Sequence, residues 1–114
     1  MNQTDQQGPT TKDLLIEYLK NNSIGAENAL SGRRLSSIFG VTSPDIRRIV
    51  NALRNEKHPV CSDSSGYFYA SSTQEIDMTI AHLASRTRQM NRAIKGLYSA
   101  KSAFKRTTQK GVET

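Results

Sequence analysis

The sequence predicts a mainly α fold with a small β-hairpin, followed by a long C-terminal helix. Three observations lead to this prediction. Apolar residues recur at helical spacing in several short segments, and two short runs rich in β-branched and aromatic residues flank the polar turn Asp-Ser-Ser-Gly. A regular apolar series then continues through the last third of the chain.

The first helix is expected to follow a disordered leader at residues 1–9, which are polar. Thr10 and Asp13 form a capping-box pair at its start. Its predicted apolar face contains Leu14, Leu15, Tyr18 and Leu19. The segment after it is interpreted as a loop with a brief extended piece at Ala29 and Leu30.

Two further helices are expected on either side of a tight turn. Ser31 is the expected cap of the second helix, and Gly40 ends it in a left-handed conformation. The inward residues of that helix are predicted to be Leu35, Ile38 and Phe39. Ser43 is the expected cap of the third helix, with Pro44 at its first position. The third helix has the clearest periodic stripe, which contains Ile46, Ile49, Val50 and Leu53.

The hairpin is predicted where Val-Cys-Ser and Tyr-Phe-Tyr-Ala flank the polar turn, after Pro59 has ended the third helix. A long basic helix is expected over residues 73–107, with a flexible tail at 108–114. Its apolar residues follow an alternating four-three spacing that only Thr87 and Lys101 interrupt, and they are Ile76, Ile80, Leu83, Met90, Ile94, Leu97 and Phe104.

Composition narrows the classes of function. The chain of 114 residues has a formal net charge of +6 and a pI near 9.8, which favours an anionic partner. Cys61 is the single cysteine, so no intrachain disulfide forms, and it is expected to be buried in a strand. No apolar run approaches the roughly 20 residues of a membrane span, and the N-terminus has no secretory signal pattern. A cytoplasmic location without membrane association is predicted.

Catalytic and metal sites are not predicted. His58 and His82 are far apart in sequence, and no cysteine or carboxylate cluster accompanies them at ligand spacing. The chain also has no glycine-rich phosphate loop, nucleophile elbow or paired catalytic carboxylates. We therefore expect a protein that is not an enzyme, with no cofactor, no metal and no small-molecule substrate.

Residues 30–72 read LSGRRLSSIFGVTSPDIRRIVNALRNEKHPVCSDSSGYFYAS. This order of helix, tight turn, helix and hairpin resembles the winged helix-turn-helix DNA-binding superfamily, and is close to small winged-helix proteins encoded by phages and prophages. The resemblance implies a winged-helix domain at residues 10–72 that binds double-stranded DNA. It further implies a phage-type transcription regulator or DNA-replication accessory factor, located in the host cytoplasm if phage-encoded.

The candidate DNA-binding residues lie on the second and third helices. Arg47, Arg48 and Asn51 are on the side of the third helix opposite its apolar stripe, and Arg and Asn match guanine and adenine edges. Hydroxyls and backbone amides at the helix start are expected to donate to phosphate. The full set is Arg33, Arg34, Thr42, Ser43, Arg47, Arg48 and Asn51. The alternative is that these are ordinary solvated side chains, as expected for Arg54 and Lys57. The Ser-Asp-Ser-Ser-Gly turn is expected only to close the hairpin, and the alternative is that one of its hydroxyls contacts a phosphate.

The long helix is expected to exceed what one domain covers. At 1.5 Å per residue it spans about 50 Å, whereas a domain of this size is about 30 Å wide. The excess must pair with a second copy, fold back near Gly96 or fray. A homodimer is predicted through a seam of Ile80, Leu83, Met90, Ile94 and Leu97. The basic residues expected to contact phosphates or an acidic partner are Arg86, Arg88, Arg92, Lys95, Lys101, Lys105 and Arg106.

Two other functions remain open at the level of sequence. In the first, the chain is a protein-interaction module on a winged-helix scaffold that grips a protein partner through the long helix. In the second, the basic helix and the aromatic residues of the hairpin bind RNA or a single strand.

Overall fold

The computed structural model describes residues 8–113, with side chains described through Thr107. Its elements in chain order are α1 (Thr11–Asn22), a 3₁₀ turn (Ala26–Asn28), α2 (Gly32–Phe39), α3 (Ser43–Asn55), β1 (Val60–Asp63), β2 (Gly66–Tyr69) and α4 (Thr73–Glu113). The predicted mainly helical fold with one hairpin and a long C-terminal helix is confirmed. The chain divides into two compact units, with the boundary after Thr79.

The capping box that begins α1 is confirmed. The Thr10 hydroxyl accepts a hydrogen bond from the Asp13 N–H at 3.2 Å, and the Asp13 carboxylate accepts one from the Thr10 N–H at 3.1 Å. The predicted inward position of Leu14 is wrong, because its side chain is exposed and Ile16 is buried instead. The buried face of α1 is centred on Leu15 and Leu19, and at 100° per residue Leu14 lies about 120° from that centre, beyond the edge of the buried face.

The second and third helices form as expected, with two corrections. Ser31 caps α2, and Gly40 ends it at φ 66°, but Ile38 is exposed while Leu35 is fully buried. The cap of α3 is Thr42 and not Ser43. Thr42 and the residue three positions later, Asp45, exchange two hydrogen bonds at 3.0 and 3.1 Å, a reciprocal capping box that Ser43 cannot form.

The stripe of α3 lies in the core of the first unit. Ile46, Val50 and Leu53 are buried, and Ile49 packs partly buried against the same cluster. This cluster also contains Leu15, Leu19, Leu35 and Val60. Burial of these side chains determines how α3 is rotated about its own axis.

The hairpin is antiparallel, with Val60 opposite Tyr69 and Asp63 opposite Gly66. The free edge of β2 also pairs with the segment between α1 and α2, at Ile24 and Leu30. The extended piece predicted at Leu30 is therefore confirmed, whereas the bridge at Ile24 was not predicted.

Both faces of the hairpin are covered. Tyr67 and Tyr69 pack against the helical core, while Cys61 and Phe68 are buried on the opposite face. The backbone of β1 is also bonded to the start of α4, where the Ser62 N–H donates to the Thr79 hydroxyl at 3.3 Å. The buried position predicted for Cys61 is confirmed, and burial raises the pKa of its thiol.

The helix α4 begins at a cap, where the Glu75 N–H donates to the Ser72 hydroxyl at 3.2 Å. It is one continuous helix of 41 residues that passes through Gly96, so the alternative in which it folds back there is wrong. It also continues past the predicted end at residue 107, to Glu113. Residues 1–7 of the predicted leader and Thr114 lie outside the described residues.

Candidate nucleic-acid interface

The outward side of α3 presents three of the candidate residues. Arg47, Arg48 and Asn51 are all exposed. Helical geometry places Arg48 and Asn51 opposite the buried stripe, with Arg47 beside them. Because Ile46 and Val50 are buried, α3 cannot rotate these polar side chains inward without exposing its core residues.

Arg48 is not free on this surface, because its guanidinium donates to the Asp45 carboxylate one turn earlier. Hydrogen bonds from the Thr42 backbone and hydroxyl, and then from Arg48, hold the pKa of Asp45 below its usual range. Asp45 is thus ionised at neutral pH. Arg47 makes no ion pair in the part of the chain that the structure describes, so it is the more available of the two arginines.

The first turn of α3 offers fewer phosphate donors than the sequence suggested. The Asp45 N–H is already bonded to Thr42, and Pro44 has no N–H. The Thr42 hydroxyl accepts that bond and donates to the Asp45 carboxylate, which leaves the Ser43 hydroxyl as a side-chain donor. The Asp45 carboxylate adds negative charge at the same place. Phosphate is therefore expected to bind the arginines in preference to this helix terminus.

The second arginine pair lies at the start of α2. Arg33 and Arg34 are exposed, and Leu35 beside them is buried. The Arg34 N–H donates to the Ser31 cap at 3.0 Å. Since α2 packs directly against α3, both arginine pairs belong to one compact unit.

Arg54, interpreted from the sequence as an ordinary surface residue, has a structural role that the sequence did not reveal. Its Nε donates to the Val60 carbonyl at 2.8 Å, and its Nη2 donates to the Ser62 hydroxyl at 3.0 Å. These bonds tie the last turn of α3 to β1. Its position at the edge of the buried stripe was the only signal in the sequence, and that signal does not identify the partners.

The tip of the hairpin has no basic side chain. Asp63 closes the turn, with its carboxylate accepting from the Ser65 N–H at 2.8 Å, and Ser64 and Ser65 are exposed. This hydrogen bond closes the turn between β1 and β2.

The candidate residues of α4 lie beyond Thr79, in the second unit. All seven predicted basic contacts are exposed: Arg86, Arg88, Arg92, Lys95, Lys101, Lys105 and Arg106. Of the predicted seam, Leu83 is half-buried, and the exposed members are Ile80, Met90, Ile94 and Leu97.

Comparison with known proteins finds no family model that matches this chain and no curated protein that is significantly similar to it. Over the described residues, none of the helices combines the length and apolar character needed to cross a membrane. Within the same range, no group of three or more side chains is arranged to hold a metal ion.

Proposed function

We propose that residues 10–72 form a winged-helix domain that binds double-stranded DNA, with α3 in the major groove. The observation that supports this most directly is the exposed set of Arg47, Arg48 and Asn51, opposite a stripe whose burial determines the rotation of α3. A phage- or prophage-type transcription regulator, or a DNA-replication accessory factor, is the role this proposal favours.

Charge supports the same surface. Residues 31–57 contain six basic and two acidic residues, and one of the two acids, Glu56, is paired with Lys12 of α1. The surplus of positive charge on α2 and α3 favours phosphate binding, while Arg and Asn on α3 have the donors that read base edges.

To bind DNA in this mode, Arg48 must release the Asp45 carboxylate. In the free protein its guanidinium donates to Asp45, and 71 % of its side chain remains exposed. An exposed ion pair of this kind contributes little to stability, so a phosphate or a guanine edge can replace the carboxylate at low cost. Arg47 needs no such exchange.

The test is a duplex-binding titration of Arg47→Ala/Arg48→Ala, with affinity measured at several salt concentrations. The matched control is Lys12→Ala/Lys20→Ala, which also removes two positive charges, and its Lys12 is likewise ion-paired with a carboxylate. Loss of the α3 pair should abolish duplex binding with an unchanged melting temperature, whereas the α1 pair should matter little. In the unaltered protein, affinity should fall steeply between about 50 and 200 mM salt. Equal affinity for the two double variants would refute the role of α3.

A protein-interaction module is the second candidate, and the exposed apolar residues of α4 favour it. Leu97 and Phe104 are 70 % and 73 % exposed. An interface built on such residues should respond weakly to salt and should not depend on Arg47 or Arg48. Binding to single strands through stacked aromatics has less support, because Phe68 is buried and Tyr67 and Tyr69 pack against the core.

A further inference from the structure

The second unit has an uncovered apolar seam along α4. Ile80, Met90, Ile94, Leu97 and Phe104 are each about half exposed or more, from 49 % for Ile94 to 73 % for Phe104. With Leu83, they occupy the a and d positions of a heptad repeat, a at Ile80 and d at Leu83. An apolar stripe of this length on a water-exposed helix indicates a surface that another helix covers.

The distribution of charge permits a second copy of α4 to cover this seam. Positions e and g flank such a seam, and most of their residues are small or uncharged. These residues are Ala84, Arg86, Asn91, Ala93, Tyr98, Ala100, Lys105 and Thr107. Only Arg86 and Lys105 among them are basic. Most of the other basic residues lie at the outer positions b and f: Arg88, Arg92, Lys95 and Arg106. Two copies can therefore meet along the seam without opposing rows of like charge.

Thr87 and Lys101 interrupt the apolar seam, and they determine whether the two helices pair in parallel or antiparallel. A parallel pair aligns each residue with its own copy, which places Lys101 against Lys101 and Thr87 against Thr87. An antiparallel pair centred between residues 90 and 94 instead places Lys101 against Leu83 and Thr87 against Leu97. The apolar stem of Lys101 can then lie along Leu83 while its ammonium reaches water.

We infer that α4 pairs with α4 of a second copy as an antiparallel two-helix seam over residues 80–104. The layers, read from one end to the centre, are Ile80 with Phe104, Leu83 with Lys101, Thr87 with Leu97, and Met90 with Ile94, and symmetry repeats them. Every layer contains at least one large apolar side chain. At roughly 100 Å² per large apolar side chain, two copies bury about 1,200 Å², the lower limit for a specific interface.

The inference depends on α4 alone and goes beyond the proposed DNA binding, so its experiments are run without DNA. Sedimentation of the full chain at micromolar concentration should give a dimer. Leu97→Asp should weaken dimerisation by roughly 100-fold or more. The matched control is Ser99→Asp, two residues away at an outer f position, which adds the same charge and should leave the dimer intact. Leu97 and Ser99 are both exposed, so neither change disturbs a buried core.

A disulfide experiment tests the direction. A chain with Ile80→Cys is mixed with a tagged chain with Phe104→Cys, refolded together and oxidised. The antiparallel seam links one chain of each kind, whereas a parallel seam links each chain to its own kind. Unaltered protein is the control, because Cys61 is 1 % exposed and should not cross-link.

Three results would overturn the inference: a monomeric full chain, dissociation by Ser99→Asp to the same extent as by Leu97→Asp, or links only between identical chains. The Arg47→Ala/Arg48→Ala protein should remain dimeric in the same sedimentation experiment. Loss of DNA binding and loss of the seam are thereby distinguished.

Discussion

Gly66, the first residue of β2, is the position where adding one methyl group should destabilise the fold most. Its φ is 140°, and a Cβ there would lie 2.2 Å from the Leu30 carbonyl oxygen and 2.7 Å from the Ser31 nitrogen. Both neighbours are backbone atoms, so no side-chain rotation relieves the contact. Gly66→Ala should therefore push β2 away from the segment that leads into α2.

The loss in free energy of unfolding comes from the contacts that must move or break. Moving the Leu30 segment by the required distance, about 1 Å, breaks its two hydrogen bonds with Tyr67, which are 2.8 and 2.9 Å long. Each contributes about 1 kcal/mol net, and the positive φ adds about 1–2 kcal/mol for a residue with a Cβ. We expect the free energy of unfolding to fall by about 3–4 kcal/mol, a large share of the roughly 3–10 kcal/mol of a domain this small.

The assay is urea unfolding followed by far-UV circular dichroism, with Gly40→Ala as the control. Gly40 also has a positive φ, at 66°, but a Cβ there meets nothing within 4 Å. Gly40→Ala should therefore lower the free energy of unfolding by only the cost of a positive φ, about 1 kcal/mol. If the two variants were equally stable, the close approach of β2 to Leu30 would be refuted.

Three further changes test the rest of the structure. Arg54→Ala removes the two hydrogen bonds to β1 and should lower the free energy of unfolding by about 2 kcal/mol, measured by urea unfolding. Asp45→Asn should raise duplex affinity several-fold in binding titrations, because it removes a negative charge and releases Arg48. Its melting temperature should fall as the capping box weakens. Acid should also destabilise the protein, because hydrogen bonds from backbone and hydroxyl groups lower the pKa of Asp13, Asp45 and Glu75. A carboxyl whose folded pKa is lowered stabilises the fold above its unfolded pKa, so the melting temperature should fall below about pH 4.

Each of these has an outcome that contradicts it. Arg54→Lys keeps the charge but not the two-donor geometry, so stability equal to that of the unaltered protein would show that charge alone matters. An Asp45→Asn protein with weaker duplex binding would mean that Asp45 helps to position Arg48 for DNA. A melting temperature unchanged down to pH 3 would show that the three ionised carboxylates do not stabilise the folded state.

Local patterns in the sequence were enough to predict most of the helices and their ends. The pairing of Thr10 with Asp13, the cap at Ser31 and the left-handed Gly40 are interactions within a few residues, so a single stretch contains both partners. The predicted cap at Ser43 was wrong because two local signals compete there. Proline one residue later favoured Ser43 as the cap, but the two hydrogen bonds of Thr42 and Asp45 outweighed that preference.

Residues at the edges of the apolar faces were harder to predict. Leu14 and Ile38 are both apolar and close to buried neighbours, yet both are exposed. The rotation of a short helix depends on the partners against which it packs, and the periodicity of eight or twelve residues does not determine it to within one position. The same reason explains why Ile16 was not included in the predicted face of α1.

The sequence by itself determined the class of fold, the stripe that orients α3 and therefore the residues Arg47, Arg48 and Asn51 that α3 presents. These follow from 3.6-residue periodicity and from caps, which act over short distances along the chain. Only the tertiary structure decided that β2 pairs with Ile24 and Leu30 and that Arg54 ties α3 to β1. Those contacts join segments that are well separated or turned back on one another, and their geometry exists only once the core side chains have packed.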